Sequence, residues 1–102
     1  MLELRPSCEN CDKALPPAAT DAKICTYECT FCADCVNNVL DNVCPNCAGG
    51  FSPRPIRPAN EHRPGVYLGA HPANTEKTSK PVNKETQAEL IKRVGPIAPH
   101  ER

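Results

Sequence analysis

The stretch that decides the fold is Cys25-Thr-Tyr-Glu-Cys29-Thr-Phe-Cys32-Ala-Asp-Cys35, followed after eight intervening residues by Cys44-Pro-Asn-Cys47. Separated from Cys25 by thirteen residues stands an earlier pair, Cys8-Glu-Asn-Cys11, and these eight are all the cysteines of a 102-residue chain. Two cysteines separated by two residues let one tight turn offer two sulfurs to one ion, and tetrahedral zinc takes two such pairs. Eight thiolates therefore suit two closed four-sulfur sites. Tetrahedral all-thiolate sites select zinc or iron, and a closed structural site needs no redox chemistry, so two zinc ions are the expected cofactors. Cys29, Cys32 and Cys35 are crowded in sequence, and the arrangement that gives each ion two well-separated pairs is interleaved. It places Cys8, Cys11, Cys32 and Cys35 around one ion and Cys25, Cys29, Cys44 and Cys47 around the other.

The rest of the composition explains why such a staple is needed. Only four aromatics occur (Tyr27, Phe31, Phe51, Tyr67), with no Trp, and every cysteine lies before residue 48. A segment of this length seldom buries enough apolar surface to hold itself, and cross-links make up the difference. Disulfides would do this in an oxidising compartment. The opening Met-Leu-Glu-Leu-Arg-Pro has an acid, a proline and no apolar run, unlike a secretory signal. No stretch is long enough for a membrane span. A cytoplasmic setting is expected, where thiols stay free for metal.

Formal charge is zero overall but uneven. Residues 1–52 carry a net of −4 and residues 53–102 a net of +4. Eight thiolates and two divalent ions would take the loaded first half to about −8, because ligation deprotonates cysteine. That is a poor surface for a polyanion, so nucleic acid is not expected on the cysteine domain. The basic arm Arg54 to Arg63 could bind RNA, an acidic partner or the acidic face of its own domain, although three arginines among prolines read first as a solvated linker.

Four regions follow. Residues 1–52 read as a small α+β domain with two metal sites. Leu2 and Leu4 alternate into a short strand, Ala22 to Tyr27 and Thr30 to Phe31 form a tight hairpin, and Val36, Val39 and Leu40 lie along one side of a short helix starting near Ala33. Residues 53–82 are a proline-rich, largely irregular basic arm. Residues 83–95 form a short amphipathic helix, capped by Asn83, with Leu90, Ile91 and Val94 on one side and Gly95-Pro96 as its stop. Glu89 stands four residues before Arg93, the order that favours a helical ion pair. Residues 96–102 are expected to be disordered.

Phe31 before Cys32, a helix after Cys35 and the closing Cys44-Pro45-Asn46-Cys47 resemble the RING fingers and their treble-clef relatives over residues 8–47. The resemblance implies a cross-braced fold with interleaved pairs; here Cys29 stands where most such fingers have histidine. The chain also resembles, over about residues 1–59, a family of short bacterial cysteine-rich proteins of uncharacterised function. Its members share the opening Met-Leu-Glu-Leu-Arg-Pro-x-Cys-Glu-x-Cys, the block Cys29 to Cys35, the Pro-Asn-Cys segment and the Arg54 to Pro58 arm. This implies a bacterial, cytoplasmic protein and brings no known activity.

No catalytic constellation is visible. Glu28 and Asp34 read as solvated acids, His62, His71 and His100 as exposed histidines without partners, and eight cysteines fill two sites without leaving room for water. The expected function is a non-enzymatic zinc-binding module acting through a protein partner. Two alternatives remain open. Ubiquitin-ligase-like recruitment of a conjugating enzyme would use the surface around Glu9, Asn10 and Pro45; RING fingers usually place an apolar residue where Asn10 stands and a basic one where Ala48 stands. An iron–sulfur or redox role is suggested by Cys29-x2-Cys32-x2-Cys35, though the run closes too late for a ferredoxin.

Overall fold

The computed structural model describes residues 1–102. Its sheet is small. Strands β1 (Ala22–Ile24) and β2 (Thr30–Cys32) form the expected antiparallel hairpin, with Lys23 opposite Phe31, and β3 (Ser52–Pro53) pairs with the other edge of β1. Pro53 at a two-residue edge strand is where proline is tolerated, since no neighbour needs its missing N–H. Helix α1 (Ala33–Cys35) leaves β2 directly and widens into a π-helical segment, Val36–Leu40. Asp41 and Asn42 end it in the left-handed region (φ 50° and 58°), which these short polar residues tolerate. The Asn42 N–H reaches back to the Val36 carbonyl at 3.1 Å, and the Asn42 side chain accepts from Phe51 N–H at 2.9 Å.

The core is built from cysteines as much as from hydrocarbon. Leu15, Ala22, Phe31, Val36 and Leu40 pack in one cluster with Cys8, Cys25, Cys29, Cys32, Cys35 and Cys44. Phe51 meets Phe31 edge-on, with ring centroids 5.5 Å apart, and joins the segment after the last cysteine to the hairpin. Gly50 allows that segment to pass close by: a Cβ there would come within 3.0 Å of Pro99.

Several expectations change. Leu2 and Leu4 form no strand; their carbonyls are taken instead by Arg57 (2.7 Å) and by the Asn74 N–H (3.0 Å). The arginine-proline arm is irregular but not a solvated linker. Arg54 is only 4% exposed and donates to the carbonyls of Arg5, Leu15 and Pro16 at 2.9–3.1 Å, while Arg57 also bonds the His71 carbonyl. Prolines deprive the arm of backbone donors, and the guanidinium groups supply them. Helix α2 (Lys84–Val94) begins after Asn83, whose side chain accepts from Glu85 and Thr86 N–H, and its Gln87 donates to the carbonyls of Leu40 and Val43. Glu89 and Arg93 remain exposed and do not pair. The terminus is ordered: Pro99–Glu101 make a 3-10 turn, and Arg102 donates to Asn42 and Ala48 carbonyls at 3.0 Å. No helix is long and apolar enough to cross a membrane.

Candidate metal centres

The hairpin, the start of α1 and two tight loops bring the cysteines into two clusters. In the first, the sulfurs of Cys8, Cys11, Cys32 and Cys35 all lie within 4.8 Å of one another. In the second, Cys25, Cys44 and Cys47 do so. The first and third pairs of the sequence thus meet, and so do members of the second and fourth. Cys29 stands apart from the mutually close set, although its thiol interacts with those of Cys25 and Cys44. His62, His71 and His100 join neither cluster. Asp34 is exposed, while Glu28 is half-buried and accepts the Glu3 N–H at 3.2 Å.

The first cluster has the dimensions of a metal tetrahedron. With a metal–sulfur bond of 2.3 Å, the edge of a regular tetrahedron of sulfurs is about 3.8 Å. The Cys11 and Cys32 sulfurs are 3.7 Å apart.

Backbone and amide donors are aimed at the sulfurs. Tyr27, Asn46 and Gly49 N–H each point to the cysteine two residues earlier, at 3.3–3.4 Å from Cys25, Cys44 and Cys47 respectively. Such turns need unusual backbone: Asp12, Glu28 and Ala48, each beside a cysteine, have φ of 63°, 65° and 64°. Left-handed backbone costs an ordinary residue on the order of 1 kcal/mol, and here it lets the N–H groups converge on sulfur.

Sequence reasoning missed the two asparagines. Asn10 donates its amide N–H to Cys35 at 3.3 Å, and Asn46 donates likewise to Cys29 at 3.4 Å. Both stand directly before the second cysteine of their pair, in Cys8-Glu-Asn-Cys11 and Cys44-Pro-Asn-Cys47, so a repeated Cys-x-Asn-Cys was the available signal. No lysine, arginine or histidine side chain donates to a sulfur. Metal-free, the Cys29, Cys32, Cys35 and Cys44 thiols are pushed above the ordinary range, burial being the largest cause. Burial also acts on Cys11, but N–H donation from Lys13 and contact with its neighbouring sulfurs bring it down. Without a cation alongside, these sulfurs become thiolates readily only when a metal ion supplies the positive charge.

Glu9 is a second surprise. It is 4% exposed, pairs with Arg5 at 2.8 Å and accepts the Thr30 N–H, tying the first cysteine loop to β2. Burial pulls the Arg5 pKa down, and Glu9 and Glu3 outweigh it and hold it raised.

Fold and clusters define a class: a small α+β protein organised by two groups of cysteines that could hold metal ions. More narrowly, the chain belongs to the family described as a protein of unknown function (DUF1272), which it matches over residues 1–57. It is also similar to an uncharacterised protein of Rhizobium meliloti (strain 1021), 51% identical over 81 residues, covering 79% of this chain and 89% of that one. No solved structure matches it.

Proposed function

We propose that this protein is a non-enzymatic module stapled by two structural zinc ions and acting through a protein partner. The observation that carries the reading is the first cluster: four sulfurs within 4.8 Å of one another, one edge at 3.7 Å, and no charged side chain among their donors. A site closed by four thiolates leaves no position for water or substrate, which marks structural rather than catalytic zinc. Cys29 completes the second site. Asn46 donates to it as Asn10 donates to Cys35, so the two cysteines occupy equivalent places in a repeated arrangement. The alternation of pairs then makes a cross-brace of the kind that RING fingers use.

Two features support interaction rather than catalysis as the role. The clusters serve to fix loops, and those loops frame a groove of about 470 Å³ between Pro45, Asn46 and the face of α2 that carries Gln87 and Leu90. Recruitment of a conjugating enzyme is the less favoured reading, because Glu9 is buried in an ion pair and Asn10 is engaged by the chain's own residue Val82.

Metal analysis of protein purified under reducing conditions tests the reading. Two zinc ions per chain and a colourless solution are expected. Iron with visible absorption would transfer the protein to the iron–sulfur class, and a folded, reduced, metal-free sample would end the proposal.

A further inference from the structure

The two asparagines that donate to sulfur differ in one respect. The exposed Asn46 side chain makes no hydrogen bond to the tail, whereas the Asn10 carbonyl oxygen accepts the backbone N–H of Val82 at 2.9 Å. Val82 belongs to a strap laid along the first cysteine loop. Asn74 N–H meets the Leu4 carbonyl at 3.0 Å, the Asn74 amide meets Glu3 at 2.7 Å, Lys77 reaches Asp12 at 3.2 Å, and Lys80 N–H meets the Glu9 carbonyl at 2.7 Å. One residue after Val82, Asn83 starts α2.

We propose that Asn10 couples this strap to the first metal cluster, so that metal there steadies the strap at Val82 and its loss loosens that end. The inference rests on the reading that the cluster binds metal. The mechanism lies in the polarity of one amide. A metal-bound thiolate accepts hydrogen bonds but donates none, so it fixes the Asn10 nitrogen toward Cys35 and its oxygen outward, where the Val82 N–H needs an acceptor. Without the ion nothing holds the Cys35 sulfur at the vertex that the Asn10 nitrogen faces. The amide then loses its reason to face that way, and the strap loses the bond nearest the start of α2. Binding linkage makes the effect reciprocal: the docked strap retains metal in the first cluster.

A double-mutant cycle on zinc-loaded full-length protein tests this. The measurement is zinc release to a chromophoric chelator, supplemented by cadmium NMR of the substituted protein. Val82→Pro removes the N–H, and Val82→Ala, which keeps the N–H, controls for the loss of the side chain that packs on the cysteine core. Relative to that control, Val82→Pro should speed release of one of the two ions about fivefold, the value of a single hydrogen bond, and move one of two cadmium resonances. Asn10→Ala should affect the same ion, and adding Val82→Pro to it should change nothing further, because the path runs through Asn10. Asn46→Ala is the matched control, speeding release of the other ion and leaving hydrogen exchange at Val82 unchanged. Unchanged release in Val82→Pro, or independent addition of the two effects, would overturn the coupling while leaving zinc binding intact. Wild-type protein without metal would overturn both, and metal analysis shows that before any variant is compared.

Discussion

The two cysteine clusters use the same parts and close to different degrees. The first draws on two pairs with two intervening residues, Cys8–Cys11 and Cys32–Cys35, and all four sulfurs converge. The second draws on one such pair, Cys44–Cys47, and on Cys25–Cys29, which has three. The extra residue is absorbed by Glu28 in a left-handed conformation, and Cys29 enters β2 beside the other three sulfurs rather than among them. One residue of spacing separates a turn that presents both sulfurs at once from one that presents the second only after adjustment. The first cluster is therefore the more tightly gathered one, and the second would need Cys29 to move in before four sulfurs could hold an ion.

Cysteine substitution breaks that comparison most severely. Cys32→Ser should abolish metal binding in the first cluster and unfold the region around Cys8, 24 positions away. Structural zinc contributes on the order of 10 kcal/mol to folding. Loss of NMR dispersion at Leu4 to Leu15 is the readout. Cys29→Ser should act only on the second cluster, lowering bound zinc from two ions to one while residues 4–15 keep their dispersion. If Cys32→Ser disturbs only residues 25–47, the pairs are not interleaved.

Acid sharpens the same contrast. Cys32, Cys35, Cys29 and Cys44 hold their protons more tightly in the metal-free fold than in the unfolded chain, whose thiols titrate near 8.5. That term stabilises below about 8.5 and is lost as the pH rises through the raised values. Metal reverses the sign. Loaded sulfurs carry no protons while the unfolded chain takes them up, so the loaded protein loses stability as the pH falls below about 8.5. Thermal melts from neutral to acid pH should show a cysteine-dependent slope with zinc and none with chelator. A chelator-treated sample that loses stability on acidification as steeply as the loaded one would show that metal is not the titrating element.

Away from the cysteine clusters, Arg54 should matter most. It is a buried cation with no carboxylate partner; burial lowers its pKa, and three carbonyls from two segments are its compensation. Arg54→Met keeps the stem and orphans those carbonyls, at a cost of about 3 kcal/mol. Denaturant melts with metal content held constant measure it. A cost below about 1 kcal/mol would mean that water replaces the guanidinium, as at a solvated linker.

These contrasts show which parts of the structure were legible in the sequence. The cysteine spacing placed the four-sulfur cluster, because knuckle geometry is local and two turns suffice to define it. The hairpin and α2 were readable for the same reason, as two short arms at Ala22 to Tyr27 and Thr30 to Phe31 and from the Asn83 and Gly95-Pro96 signals. The tail's return to the domain was not. Arg54, Gln87 and Arg102 act by donating to single carbonyls 38 to 60 residues away, and a side chain seeking a distant acceptor leaves no periodicity. Glu9 reads as one more acid of a negative region until Arg5 and Thr30 fold around it. Asn10 and Asn46 were a middle case, visible as a repeated motif whose meaning needed the sulfur at the other end.

The smallest expected effects lie in α2, where they separate packing from local helix strength. Gln87 is 3% exposed and its amide donates at 3.2 Å to Leu40 and at 2.9 Å to Val43, two carbonyls freed where the π-helical segment ends. Asn83 caps the same helix from an exposed position, accepting from Glu85 and Thr86 N–H at 3.0 and 3.1 Å. Gln87→Ala should cost about 2 kcal/mol, since it leaves two buried acceptors unmet, and it should raise hydrogen exchange at Leu40 to Cys44 as well as in α2. Asn83→Ala should cost about 1 kcal/mol, the usual loss of an N-cap, with exchange raised only in the first turn of α2. Equal effects of both substitutions on residues 40–44 would mean that the helix docks as a rigid unit, whose internal strength and attachment are one quantity. The predicted difference places the attachment to residues 40–44 in Gln87.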